Sequence, residues 1–371
     1  METAKLSPRS LWTLVPLAAL AVLILLVVEA GKREVRSPWY DDMFEAAELS
    51  ARAAEHLKAI RLERGIFVDP VNDPTESALI GQEYTQITTD RGYLDAKLAS
   101  LDPNFAAVVV AMLRELGVGS GDCAAVGLTG SFPALNLSVL AALQTLGTRG
   151  VVAASIGASN YGANDPYFTW LDMQGALVAS GHFQAMPTLA SIGGGNDTGR
   201  GLSPRGRALA REAAQRAEVA LLESPRLEGS VSQRLAHFRA GCEGEPAVYI
   251  NVGGGVASLG HSANGALIPI GATLRVPPRN FPFRGVLLRL NEAGVPVVHL
   301  TRLEELSARY GLAALPDAPP RPGEGDVFGE VRYGSAAPLT SLALLLGLLV
   351  GLRVLDQRAH KLSTPDPQKG A

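Results

Sequence analysis

The sequence predicts an α/β protein: a mostly parallel, Rossmann-like sheet flanked by helices, set between two transmembrane helices. Three observations predict it. Short apolar runs recur in the order strand, turn, helix, strand. Four glycine- or asparagine-rich turns each follow such a run. Two long uncharged stretches stand near the ends of a 371-residue chain that is 47% hydrophobic and 19% charged. The mean hydropathy of +0.15 is high for a soluble enzyme, and those two stretches raise it.

The first stretch, Leu11–Val28, has about 18 uncharged residues, enough for a candidate span. Lys5 and Arg9 precede it, and Val28-Glu29-Ala30 loosely fits a signal cleavage site. A signal h-region is shorter, about 7–15 residues, so the stretch reads as an uncleaved anchor. The second, Ala336–Leu352, has about 17 and is followed by Arg353, Arg358 and Lys361. Trp12, Trp39 and Tyr333 suit the membrane interface. Positive charge after the second span places both termini in the cytoplasm. Lys32, Arg33 and Arg36 make the first span less one-sided. The expected organisation is an anchor over 1–36, a glycine-rich α/β domain over 37–331, and a transmembrane helix with a polar tail over 332–371. The expected location is the inner membrane, with two spans and the large domain outside. The prolines between Pro316 and Gly325 read as a linker.

Within the central domain, Asp41–Arg64 carries helical periodicity and Gly65 stops it. Asp69-Pro70 and Asp73-Pro74 mark a turn region. Phe105–Leu116 is a second helix. Cys123–Leu128 is a buried strand, Thr129–Pro133 a turn, Pro133–Leu146 a helix and Val151–Ile156 the next strand, which predicts a parallel βαβ unit. Thr188–Ile192, Val219–Leu222, Ala247–Val252 and Val295–Leu300 read as further strands. Pro204–Ala217 and Phe283–Ala293 read as helices.

The four turns are Gly127–Ser131, Gly157–Asp165, Gly193–Thr198 and Gly253–Gly255. In an open parallel sheet, ligands bind where strands end, and glycine turns with helix N-termini suit anions. The plain alternative is a set of tight turns that need small residues. No glycine cluster matches a Walker A or a G-x-G-x-x-G pattern. The serine elbow G-x-S-x-G also fails at Ser131, which reads as a helix N-cap before Pro133. The histidines show no metal-ligand spacing, and neither a metal nor a cofactor is expected. His182 and His261 read as surface or packed side chains. Asp165, Asp172 and Asp197 are the best acidic candidates, though Asp is common in turns. Arginines cluster at Arg200, Arg205, Arg207 and Arg211, and again at Arg275, Arg279 and Arg284; arginine forks bind carboxylates. Between Lys97 and Lys361 there is no lysine, a bias that base composition would explain. The candidate ligand-binding set is Thr129, Gly130, Ser131, Asn160, Asn164, Asp165, Asn196, Asp197, Arg200 and Arg205, with no catalytic residue assigned. Cys123 and Cys242 are either a pair in an exported domain or two buried thiols. The net charge of −3 argues against nucleic acid as a partner.

Several stretches carry a resemblance. They are Gly81–Thr85 with Ile87–Thr89, Leu94–Lys97, Asn104–Ala107, Gly130–Leu135, Tyr161–Asn164 and Phe168–Asp172. Together they resemble the poly-γ-glutamate system protein family over roughly Gly81 to Gly255. The resemblance implies an accessory membrane protein of poly-γ-glutamate (capsule) biosynthesis or export. Its partners would be the membrane, the synthase subunits and the glutamyl polymer. The α/β domain would then bind glutamyl chains or a partner subunit. The alternative is a membrane-anchored enzyme that hydrolyses or transfers γ-glutamyl amide bonds, and a third reading is a scaffold. The resemblance supplies a pathway and no catalytic residues.

Overall fold

The computed structural model describes residues 11–312, 320–333 and 336–363. The chain forms two compact units, one from its two ends and one over Ser37–Phe328.

The terminal unit contains helix α1 (Leu11–Ala30), strand β1 (Lys32–Arg36), strand β11 (Gly329–Tyr333) and helix α13 (Ala336–Ser363). β1 and β11 pair antiparallel from Lys32↔Tyr333 to Arg36↔Gly329. Among the described residues, no helix is long and apolar enough to cross a membrane. This corrects the expected pair of transmembrane helices, and with it the two-span inner-membrane location and the extracytoplasmic domain. Length is the physical reason. At 1.5 Å per residue, the uncharged part of α1, Leu11–Val28, covers about 27 Å and contains Pro16, against a hydrocarbon core of about 30 Å. The uncharged part of α13, Ala336–Leu352, covers about 26 Å before Arg353 and Asp356 follow. Lys5, Arg9, Lys369 and residues 364–371 of the polar tail lie outside the described residues, as does 313–319 of the proline-rich linker. The rest of that linker is pinned: Asn104 donates to the Arg321 carbonyl at 2.9 Å and accepts from Gly323 N at 3.0 Å.

The central unit begins with α2 (Tyr40–Glu63), which has Asp41 and Asp42 in its first turn and Arg61 in its last, as the helix dipole favours. A short strand β2 (Thr88–Asp90), α3 (Leu94–Ala99) and α4 (Phe105–Glu115) lead to the sheet. There follow β3 (Cys123–Thr129), α5 (Pro133–Thr145), β4 (Arg149–Ser155) and β5 (Ala158–Ser159). Next come α6 (Trp170–Ala179), β6 (Pro187–Ser191), α7 (Pro204–Arg216), β7 (Ala220–Leu222), α8 (Leu227–Cys242) and β8 (Val248–Val252). The unit closes with α9 (Val256–Leu259), α10 (Asn264–Leu267), β9 (Gly271–Thr273), α11 (Val286–Glu292), β10 (Val297–Leu300) and α12 (Leu303–Tyr310).

Seven strands form one sheet in the order β7-β6-β4-β3-β8-β10-β9. Every neighbouring pair is parallel except β10 with the edge strand β9. The predicted βαβ unit is present: β3 and β4 pair in parallel from Cys123↔Arg149 to Thr129↔Ser155. Proline at the first helical position starts α5 between them. One sheet face is covered by α4 and α5 through Val108, Leu135 and Leu137, and α2 packs over those helices with Ala46 and Ala47 buried. The other is covered by α8, α9 and α11 through Val231, Leu235, Phe238, Leu259, Val286 and Leu290. Cys123 and Cys242 form a disulfide with 5.6 Å between Cα atoms, which ties the end of α8 to the start of β3. Of the two readings left open for the cysteines, the pair is the one present.

Candidate switch-point crevice

Because β3, β4, β6 and β8 run parallel, the four glycine turns lie on one edge of the sheet. After β3 the chain builds outward through β4, β6 and β7, and then returns to place β8 on the other side of β3. The β3/β8 boundary is therefore a topological switch point. Helices leave the two strand ends towards opposite faces there, the place where open α/β sheets carry a ligand crevice. Its walls are the turn Thr129–Phe132 and the turn Gly253–Gly255.

The crevice is built from backbone and small polar groups. Thr129 is 7% exposed, and its Oγ1 is buried without a hydrogen-bond partner. Gly253 has φ +78, and a Cβ on it would lie 3.0 Å from that Oγ1. A Cβ on Gly254 would meet nothing within 4 Å, so this wall is open. α5 starts here without a side-chain cap. Ser131, expected as that cap, does another job: Phe132 takes the N-cap position, and Ser131 Oγ accepts from Ser159 N at 3.0 Å.

Beneath the crevice, on the α8 side, lies a buried polar layer. Ser191, Ser155 and Thr129 stand side by side in register, as do Asn251 and His299. Asn251 Nδ2 donates to the Gly253 carbonyl at 2.8 Å and to His299 Nδ1 at 2.9 Å. Nδ1 is thus an acceptor, and the ring proton sits on Nε2, 3.1 Å from Thr301 Oγ1. Burial, with Arg302 nearby, pushes the His299 pKa down to about 4, so the ring is neutral at physiological pH. Asp197 accepts from Ser191 Oγ at 2.6 Å, from Ser230 Oγ, and from Arg234 Nη2 at 3.2 Å. Both charged side chains are almost fully buried. Asn196 and Asp197 are both held at positive φ, +57 and +62, which turns the Asp197 carboxylate inward.

A second cluster stands at the rim. Lys97, from α3, is 2% exposed. Its Nζ donates to the Ser131 carbonyl and to Ser159 Oγ at 2.9 Å, and lies 3.7 Å over the Phe132 ring. Among the described residues, no carboxylate is bonded to it. Burial lowers its pKa to about 7. Ser131 and Ser159 are half-buried.

Of the ten residues predicted from sequence, Thr129, Gly130 and Ser131 line the crevice. Asn160 and Asn164 do not. Asn160 accepts from Gly92 N at 2.7 Å and donates to Glu83 O at 2.6 Å. Asn164 accepts from Gln82 N at 3.1 Å and donates to Gln82 O at 2.6 Å. Both staple residues 82–92 over the second turn, where β2 pairs with β5. Asp165 accepts from its neighbour Tyr167 N at 2.8 Å, an ordinary Asx turn. Asp197 faces the buried layer, and Asn196 is exposed. Arg205 pairs with Glu212 at 2.8 Å along α7, and Arg200 is exposed beside Gly195. The four turns share an edge, but only the first and last frame the crevice. Asp172 belongs to the capping box of α6 with Thr169 and pairs with Arg216. His182 stacks on His56 near Gln144, at the far end of α5 from the crevice. His261 is exposed, its Nδ1 accepting from Ala263 N. Among the described residues, no group of three or more His, Cys, Asp or Glu could hold a metal ion.

Sequence reasoning missed Lys97, Ser159 and His299. Lys97 had a signal, since it is the only lysine between Lys58 and Lys361.

Fold and crevice together define a doubly wound α/β domain with an open switch point. Compared with models of protein families, with curated proteins and with solved structures, the chain matches none.

Proposed function

We propose that the central domain binds a carboxylate-bearing chain in the β3/β8 crevice, and that the chain is γ-glutamyl in nature. The ligand class comes from the resemblance of residues 81–255 to the poly-γ-glutamate system family. The observation that carries the binding reading is the unpartnered, buried Thr129 Oγ1, packed under the Gly253–Gly255 turn whose Gly254 is open, at the uncapped start of α5. A buried hydroxyl without a partner costs about 1–3 kcal/mol, which a bound acceptor would recover. The helix N-terminus and the backbone N–H groups of the glycine turn favour a carboxylate there. A γ-linked chain offers one free carboxylate per residue, so neighbouring residues can occupy the crevice and its rim together. Arg205 is committed to Glu212, so these contacts replace it in the earlier expectation.

Ligand-dependent melting tests this reading. Binding to the native state raises stability by RT ln(1 + [L]/Kd), about 2.7 kcal/mol at a hundredfold excess over Kd. The full chain should melt higher with a γ-glutamyl oligomer, and Thr129→Val should lose most of that rise. An equal rise with a neutral peptide of the same length would contradict it.

A further inference from the structure

We propose that Ser159 and Lys97 form an acyl-transfer dyad at the rim of the crevice, which cleaves an amide bond of the bound chain. This rests on the binding reading above for its substrate class, but on a different set of residues.

The geometry is that of a hydroxyl nucleophile and an amine base in direct contact. Ser159 Oγ and Lys97 Nζ are 2.9 Å apart, within the reach that proton transfer needs. Two further contacts fix the pair. Ser159 N donates to Ser131 Oγ at 3.0 Å, and Lys97 Nζ reaches the Ser131 carbonyl, so the turn after β3 holds both partners. Ser131 is a positioning residue in this arrangement. A Cβ on Gly92 would lie 2.9 Å from Ser159 Oγ, so only glycine at that position leaves the hydroxyl unobstructed on that side.

A lysine that merely fills space is an expensive choice here. It is 2% exposed, and its partners are a carbonyl, a hydroxyl and an aromatic ring. Replacing a buried charge with an apolar residue of similar size is often neutral or stabilising. Burial brings the Lys97 pKa to about 7, so near neutral pH a large share of the amine is uncharged. In that form the 2.9 Å contact reverses, and the Ser159 hydroxyl donates to Nζ.

The step balances as follows. Ser159 Oγ attacks the amide carbonyl carbon, and its proton passes to Lys97 Nζ. The C–N bond breaks, and Lys97 returns the proton to the departing amine nitrogen. The ester left on Ser159 is then taken by water, giving a free carboxylate, or by another amine, giving a new amide. In either case the incoming nucleophile gives a proton to Lys97, and Ser159 Oγ recovers one as it leaves. No oxidant or reductant is needed.

The test uses the full chain, a fluorophosphonate probe and a γ-glutamyl anilide. Mass spectrometry should find one probe adduct, on Ser159, absent in Ser159→Ala. Labelling and anilide release should both rise with pH through about 7, as Lys97 loses its proton. Lys97→Met should slow both by about 10²–10⁴-fold, the usual contribution of general base catalysis. Lys97→Arg separates the roles. A structural cation would be rescued by arginine, whereas a base would not, because arginine stays protonated. If the lysine variants fail to fold, Ser159→Ala decides alone. An adduct elsewhere, an adduct that survives Ser159→Ala, or full activity in Lys97→Arg would overturn the dyad. Melting shifts with γ-glutamyl oligomer in Ser159→Ala report on binding independently. A wild-type chain that binds the oligomer yet takes no probe sinks the dyad and leaves the binding reading standing.

Discussion

Replacing Arg234 with Met should destabilise the central domain by about 3–5 kcal/mol, the cost of breaking a buried ion pair from one side. The structure sets this magnitude. The Arg234 and Asp197 side chains are 6% and 2% exposed, and their charged atoms are 3.2 Å apart. Without the guanidinium, Asp197 keeps two serine donors and no countercharge, in a place where water does not compensate. Arg234 also donates to Ser191 Oγ at 2.6 Å, so β6 loses that tie to α8, and only Ser230 still joins α8 to Asp197. Urea unfolding of both proteins measures the difference, read as a lower midpoint at unchanged slope. The double variant Arg234→Met, Asp197→Asn removes both charges, and asparagine tolerates the positive φ of 62 at that position. It should recover much of the loss. A single variant that costs less than about 1 kcal/mol, as a surface pair would, refutes the buried pair.

The stability that His299 contributes should fall as pH drops from about 6.5 towards 4, against the opposite trend of Asp102, whose pKa burial raises to about 6. His299 stays neutral in the fold to about pH 4 but protonates near 6.5 when unfolded, so the unfolded chain binds the extra proton. That contribution is on the order of 3 kcal/mol, read in urea titrations across that range as a stability difference between the wild-type chain and His299→Gln that shifts with pH. Lys97→Met should raise stability at pH 7 by roughly 1–3 kcal/mol, because the unfolded chain is protonated there and the folded lysine is not fully so. The gain should disappear above pH 10, when both states are neutral, and an absent gain would mean Lys97 is more exposed than the structure has it. Reduction of the Cys123–Cys242 disulfide, whose ends are 119 residues apart, should cost about 4–5 kcal/mol on the loop-entropy model. Thiol titration of the unreduced, denatured chain should find no free cysteine.

The β3-α5-β4 unit was legible because its signals are local: an apolar run, a glycine turn, Pro133 and a second apolar run. The shared edge of the four turns followed from parallel pairing alone. α8 was missed although Val231, Leu235 and Phe238 form its apolar stripe; Gly229 and Gly241 within it lower its helical signal. β9 has three residues and opens with Gly271, too little pattern to read. The two terminal stretches misled because uncharged length was weighed without the few residues that separate about 27 Å from a full crossing. The site was harder. Lys97 sits in the six-residue helix Leu94–Ala99, too short for its pattern to show which side is buried. It is buried because residues 82–92 fold over the second turn through β2 and β5, a pairing that joins positions about 70 apart in sequence. His299 lies in an otherwise apolar strand, and its partner Asn251 is 48 residues away. Arg205 and Asn164 looked like ligand contacts for the same reason, since their partners Glu212 and Gln82 cannot be assigned without the fold.

The most direct measurement is calorimetric titration of the full chain with a γ-glutamyl oligomer, alongside the variant Gly254→Leu. Gly254 has open space where its side chain would go, so leucine can be accommodated without strain while filling the crevice. The crevice reading predicts measurable heat with the wild-type chain and at least a tenfold weaker affinity in the variant, about 1.4 kcal/mol, at unchanged melting temperature. Equal affinity in the two proteins, or no heat at millimolar oligomer, would contradict it.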